Sequence, residues 1–280
     1  MPTFEHHGQR LSYTEHGAGP KITVLLHGLL LSGRMHDRLA RDLAARGNRV
    51  VTLDLLGHGA SDRPRDMWRY AMPFFAEQVV ALLDHLEVNE AVVMGTSLGA
   101  NTTLEVASLA PGRLRGMVIE MPVLDNALLA VAVAFTPLLV ALTFGEPVMR
   151  FVGRLTRAIP ERAVPELGNV VLDAVRQDPG PSAAVLQGLF FGRVAPHRAE
   201  RRTFETPALV IGHRRDPVHP FSDAGMLVDE LPNGRLLEAD SMVELRLAPE
   251  RLTGEIADFI AECWRPRRRS GRTRRAGRLA

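Results

Sequence analysis

Short, unbroken apolar runs alternate with segments of helical spacing through the first third of the chain. Residues 9–15 alternate polar and apolar positions as a strand does, while 22–26, 50–53 and 91–94 are continuous apolar runs too short for helices. Between them, residues 35–46 place Met35, Leu39 and Leu43 on one helical face and stop at Gly47. Residues 74–86 stripe Phe75, Val79, Leu82, Leu83 and Leu86 along another. A helix from Leu98 to about Ala110 ends at Pro111-Gly112, and residues 114–120 return to strand character. The alternation resumes late, with strands at 208–211 and 235–238 and helices at 223–231 and 249–263. Strands apolar on both faces and separated by helices predict an α/β fold: a mostly parallel sheet with helices on both faces.

Residues 122–206 break this rhythm. They open with a charge-free run, 127–145, interrupted by Pro137, and continue with short helical segments at 150–159, 164–176 and 182–191. A membrane-spanning helix needs about 20 apolar residues. An alanine-rich, proline-split run inside an alternating pattern reads instead as part of an inserted helical cap, or lid, so no membrane span is expected. The expected division is a core of residues 1–121 and 207–264, a cap of 122–206, and a tail of 265–280. Leu128, Val131, Phe135 and Leu139 would either wall an apolar pocket or pack the cap onto the core.

Charge changes the picture only at the end. The whole 280-residue chain carries +2, but eight arginines fall between Arg265 and Arg278, and the chain before them is at −6. The tail lacks apolar periodicity and is expected to be disordered; a solvated appendage is the favoured reading, nucleic acid or anionic lipid the partner its charge would otherwise suit, and the folded body has no such signature. Cys263 is the lone cysteine, so no intrachain disulfide forms, and the N-terminal residues show no basic segment leading into an apolar run. Both fit a cytoplasmic protein. Lys21 is the only lysine against a large excess of arginine, a composition associated with GC-rich bacterial genomes. The composition leaves oligomeric state open.

Chemistry concentrates at Gly95-Thr96-Ser97-Leu98-Gly99, between an apolar strand and a helix. A serine on so sharp a bend needs small residues two positions to either side. The helix beginning at Leu98 points its free N–H groups and positive dipole end toward the serine oxygen. Upstream, Leu25-Leu26-His27-Gly28-Leu29 ends a strand in His-Gly, and Asp54-Leu55-Leu56-Gly57-His58-Gly59 follows the next one. In this order and spacing, the three blocks resemble the α/β-hydrolase superfamily, in its branch of esterases, lactonases, cofactor-free haloperoxidases and carbon–carbon bond hydrolases. The likeness covers roughly residues 9–263, weakly over 122–206.

The resemblance implies a serine-type hydrolase acting on an apolar ester, lactone or related acyl substrate. Ser97 is the implied nucleophile, the backbone N–H groups of Leu29 and Leu98 the oxyanion hole, and His27 a brace for its loop. Asp216, in Gly212-His213-Arg214-Arg215-Asp216-Pro217, is the implied acid, with Asp125 as an alternative. No cofactor is implied. The family's histidine belongs in a Gly-His pair seven residues ahead of Pro-Glu, yet counting back from Pro249-Glu250 reaches Ser241-Met242.

A thioether accepts protons poorly, and loss of the base from such a triad costs up to about 10⁶ in turnover. His219 is the first substitute base. Its spacing of three from Asp216, between Pro217 and Pro220, favours a turn-stabilising or rim role over direct contact with Ser97; His213 precedes the acid and is a weaker substitute. A catalytically degenerate small-molecule-binding protein is therefore the alternative, and a lyase or isomerase step in the same pocket a third. No metal is expected, because His6 and His7 sit on an early strand segment where neighbours point to opposite faces.

Overall fold

In a computed structural model, which describes residues 1–266, eight strands form one sheet. They are β1 (Thr3–His6), β2 (Gln9–His16), β3 (Ile22–Leu26), β4 (Arg49–Asp54), β5 (Ala91–Thr96), β6 (Leu114–Glu120), β7 (Ala208–His213) and β8 (Gly234–Ala239). Their spatial order is β1-β2-β4-β3-β5-β6-β7-β8; β1 and β2 pair antiparallel, and every pairing from β4 to β8 is parallel. The apolar runs are strands because alternate side chains enter two different cores. Val24, Leu26, Val51, Leu53, Val93 and Ile119 pack with Phe75, Val79 and Leu82 of α2 (Met72–His85) and Leu104 of α3 (Leu98–Leu109). Leu25, Val50, Val92, Met94 and Val118 face the other way, onto Leu39 and Leu43 of α1 (Asp37–Ala45) and Leu252, Ile256 and Ile260 of the C-terminal helix, Glu250–Cys263.

The insertion between β6 and β7 is helical: α4 (Leu128–Phe144), α5 (Glu146–Thr156), α6 (Glu166–Val175), α7 (Pro179–Phe191) and α8 (Arg198–Arg201). The charge-free run divides its side chains three ways. Leu128, Val131 and Phe135 line a cavity; Leu138, Leu139 and Leu142 pack near Leu186 of α7; Leu129, Val133, Val140 and Phe144 are exposed. Among the described residues no single helix is long and apolar enough to cross a membrane, although α4 and α5 together, bent by 96°, match one in length and composition.

The sheet begins ahead of residue 9, with β1, in the early strand segment expected around His6, joined to β2 through His7-Gly8. One expected boundary needs correction. Residues 33–36 form a separate 3₁₀ turn ahead of α1 rather than its first turn. The arginine-rich tail expected over 265–280 lies, from residue 267, outside the described residues. Its first residue is held to the body, since Arg115 Nη2 donates to the Arg265 carbonyl at 3.1 Å.

After β7, the chain turns through residues 214–220 into α9 (Phe221–Glu230); after β8 it turns through 240–243 into α10 (Glu244–Leu247) and then α11 (Glu250–Cys263). Both turns leave the sheet at the end where β5 delivers Ser97.

Candidate active site

Ser97 follows the last residue of β5 directly and caps α3, with φ of +54°. A left-handed serine is strained, and the surroundings impose it: a Cβ at Gly95 would collide with the Gly99 backbone, and one at Gly99 with the Leu26 carbonyl. Two backbone bonds fix the bend, Ser97 N–H to the Glu120 carbonyl at 2.9 Å and Gly99 N–H to the His27 carbonyl at 3.1 Å.

Under the bend lies a buried charged cluster that the sequence reading missed. The Glu120 carboxylate accepts from Thr96 Oγ1 at 2.5 Å and pairs with Arg246 of α10, which also donates to Thr96 Oγ1 at 3.0 Å. Burial pushes the Glu120 carboxyl up, but Arg246, His213 and Thr96 outweigh it and hold the group well below the usual carboxylate range. His213 turns toward this cluster rather than toward Ser97: Nδ1 meets the Ser241 carbonyl at 2.8 Å and Nε2 lies 3.7 Å from Glu120. Glu120 and Arg246 are 126 residues apart, and no local pattern pairs them.

The imidazole facing Ser97 belongs to His219, against the expectation of a rim or turn-stabilising residue. His219 Nε2 lies 2.9 Å from Ser97 Oγ, and His219 Nδ1 lies 2.9 Å from Asp216 Oδ2. The short spacing makes this contact possible. Asp216 Oδ1 accepts the N–H groups of Val218 at 2.8 Å and His219 at 2.9 Å, wrapping the chain around its own carboxylate. Pro217 presets that turn, so the residue-219 side chain folds back over the second carboxylate oxygen. The Asp216 side chain is fully buried. Burial pushes its carboxyl up; the His219 ring and the two amides prevail, and the group sits below its ordinary value. With Nδ1 donating to the carboxylate, a neutral His219 presents its Nε2 lone pair to the serine hydroxyl.

The other sequence-identified residues fall as follows. Leu29 and Leu98 line the same cavity as Ser97 and His219. His27 is buried beneath them; its Nε2 accepts the Leu55 N–H at 3.0 Å and its Nδ1 meets the Gly28 carbonyl at 2.8 Å, tying the loop after β3 to the loop after β4. Burial lowers its pKa. Asp125 is exposed. Met242, where the resemblance places a histidine, is 43% exposed and is not among the residues lining the cavity.

The cavity holds about 260 Å³ and is walled by apolar side chains from α3, α4 and α7, with Ser97, Asn101 and His219 its polar groups. Asn101 fixes the wall by accepting the Val123 N–H at 3.0 Å and donating to the Val123 and Val194 carbonyls. Asp223 of α9, also missed from sequence, is buried and accepts from Leu124, Asn126 and Ala127 at 2.8–3.1 Å, anchoring the chain where it enters α4. A larger polar cavity, about 700 Å³, is lined by Arg34, Asp54, Arg63 and Asp178 and lacks the serine and its imidazole.

His6 and His7 do not diverge as neighbours on a strand would. His7 has φ of +49° in the turn after β1, and the two rings lie 4.1 Å apart, centroid to centroid.

Comparison with known proteins agrees with this architecture. Residues 23–240 match the family described as alpha/beta hydrolase fold. The chain is similar to an enol-lactonase from Burkholderia xenovorans LB400, with a TM-score of 0.74, 22% identity and coverage of 93% of this chain and 100% of that one. It is also similar to a hydrolase from Pseudomonas aeruginosa PA01, with a TM-score of 0.77, 24% identity and coverage of 92% and 97%. A 2-hydroxymuconate semialdehyde hydrolase of Pseudomonas sp. (strain CF600) is 33% identical over 104 residues, which are 37% of this chain and 33% of that protein. The chain spans only a quarter to a third of the length of this and two other curated relatives that it matches.

Proposed function

Because the chain belongs to the alpha/beta hydrolase fold family, we propose that it is a serine hydrolase cleaving an uncharged, apolar ester, lactone or related acyl substrate. Ser97 is the nucleophile, His219 its base and Asp216 the acid that orients the imidazole. One observation carries this reading: the unbroken relay from Ser97 Oγ through His219 to the Asp216 carboxylate, each link 2.9 Å. It supplies the proton acceptor without which a serine hydroxyl is a poor nucleophile.

In the first half-reaction Ser97 Oγ attacks the acyl carbon and its proton passes to His219 Nε2. The backbone N–H groups of Leu29 and Leu98 hold the oxyanion, preorganised at the start of α3. Collapse expels the alcohol oxygen, which takes the proton from the imidazolium, and leaves the acyl group on Ser97. Water then repeats the sequence: its proton goes to His219, its oxygen to the acyl carbon, and the proton returns to Ser97 as the acid departs. The ionised Asp216 holds the His219 tautomer and stabilises the transient imidazolium.

Residues 122–206 act in this reading as a lid, since α4 and α7 supply cavity wall. The cavity offers no charged side chain to pair with a substrate carboxylate. Burying an unpaired charge is costly, so neutral acyl groups are preferred. A fluorophosphonate probe labels Ser97 in the wild type and leaves Ser97→Ala unlabelled; failure to label folded wild-type protein overturns the proposal. Met242 favours a second reading, a binding protein without turnover. Neutral ester turnover that depends on both Ser97 and His219 excludes it.

A further inference from the structure

Among the described residues, one group of side chains is arranged as metal ligands, and it lies outside the catalytic cavity. His6 ends β1, His7 stands in the turn to β2, and Glu77 projects from α2. The turn has φ of +49° at His7 and +69° at Gly8. These angles suit a two-residue type I′ hairpin, and they bring the His7 ring beside the His6 ring instead of across the strand from it. Glu77 Oε2 then lies 3.5 Å from His7 Nε2 and 4.0 Å from His6 Nε2, and all three ligand atoms lie within 4.8 Å of one another.

Protein groups alone leave this arrangement unsatisfied. At 4.0 Å the His6–Glu77 approach is too long for a hydrogen bond, and His6 Nε2 is buried without a hydrogen-bond partner. Tetrahedral zinc with bonds of about 2.0–2.2 Å to nitrogen and oxygen separates its ligand atoms by roughly 3.3–3.5 Å. The His7–Glu77 separation already fits, and side-chain rotation of His6 closes the other two gaps.

We propose that His6, His7 and Glu77 form a divalent zinc-class site, with water in the remaining position. Two imidazoles and one carboxylate favour such borderline cations over Mg²⁺ or Ca²⁺, which take all-oxygen sets. His7 is 68% exposed, which opens the fourth position to solvent. β1 and β5 are four strand spacings apart in the sheet, about 19 Å at roughly 4.8 Å each. The ion therefore takes no part at Ser97. It clamps the edge hairpin to α2, tying a terminal strand to the helical layer that covers it.

The test is titration of the full, chelator-treated chain with ZnCl₂, read by calorimetry and by thermal midpoint. One equivalent of Zn²⁺ binds the wild type and raises its midpoint, as for any ligand that binds only the folded state. His7→Asn removes a ligand while keeping a residue type that tolerates positive φ, and Glu77→Gln removes the carboxylate charge. Each weakens binding at least tenfold and abolishes the midpoint shift, while the metal-free midpoints stay close to wild type. No binding by the wild type, binding unaltered in both variants, or binding that leaves the midpoint unmoved (an adventitious ion only) overturns the proposal.

Discussion

Two neighbouring loops leave the same end of the sheet and could each carry a catalytic histidine. β7 and β8 are hydrogen-bonded partners with His213 opposite Ala239, so the loops of residues 214–220 and 240–243 start side by side. The resemblance points to the second, where Met242 stands half-exposed. The first holds Asp216 and His219 in a turn closed by two backbone N–H groups donating to one carboxylate oxygen. The second has become scaffolding: its Ser241 carbonyl meets His213, its Asp240 N–H bonds Glu244, and α10 beyond it sends Arg246 beneath the serine. What such a site requires is an imidazole between hydroxyl and carboxylate, whichever loop supplies it.

Substitutions separate the two loops, with the largest effects in the first loop and at the serine. Ser97→Ala is expected to lower ester turnover by about 10⁴–10⁶ with no loss of thermal stability. His219→Ala should cost a similar factor, and the double variant little more than either alone, because the two act as one unit. Asp216→Asn is expected to cost about 10⁴ and also some stability, since its carboxylate closes the turn. Met242→Ala and Met242→His, in the second loop, should leave turnover within about threefold of wild type, because surface positions outside the relay are near neutral. A rise of orders of magnitude in Met242→His would show that the second loop, not the first, is the place for the base.

Other imidazoles lie inside the fold. His27, His36 and His58 are fully buried, and burial holds all three below the ordinary value, His36 down to about 3. In the unfolded chain each takes a proton below about pH 6.5; in the folded chain it does not. Acidification below that value therefore favours unfolding, by up to about 1.4 kcal/mol per pH unit for each residue, until the folded pKa is reached. Chemical denaturation between pH 7 and 5 should show this fall, and His36→Gln should flatten it.

The strands of the core were legible because they are buried on both faces, so the 22–26 and 114–120 runs carry their own boundaries. β1 was legible only as an early strand segment around His6, because one buried side chain in four gives its bounds no pattern. At the site, Gly95 and Gly99 announce the bend because only glycine fits there. The contact of His219 with Ser97 depends instead on how Asp216 and Pro217 turn the backbone, a matter of dihedral angles that composition does not reveal. Glu120, Arg246 and Asp223 were invisible for another reason, since Glu120 meets Arg246, and Asp223 meets the chain entering α4, across about a hundred residues or more.

Imidazole rescue bears most directly on the assignment of the base. With His219→Ala, turnover of a neutral aryl ester should be nearly lost and then rise with added imidazole, saturating as the small base occupies the space beside Asp216, while Met242→Ala keeps full activity and gains nothing. Wild-type turnover in His219→Ala without imidazole, or its loss in Met242→Ala, would contradict a relay that runs through the loop after β7.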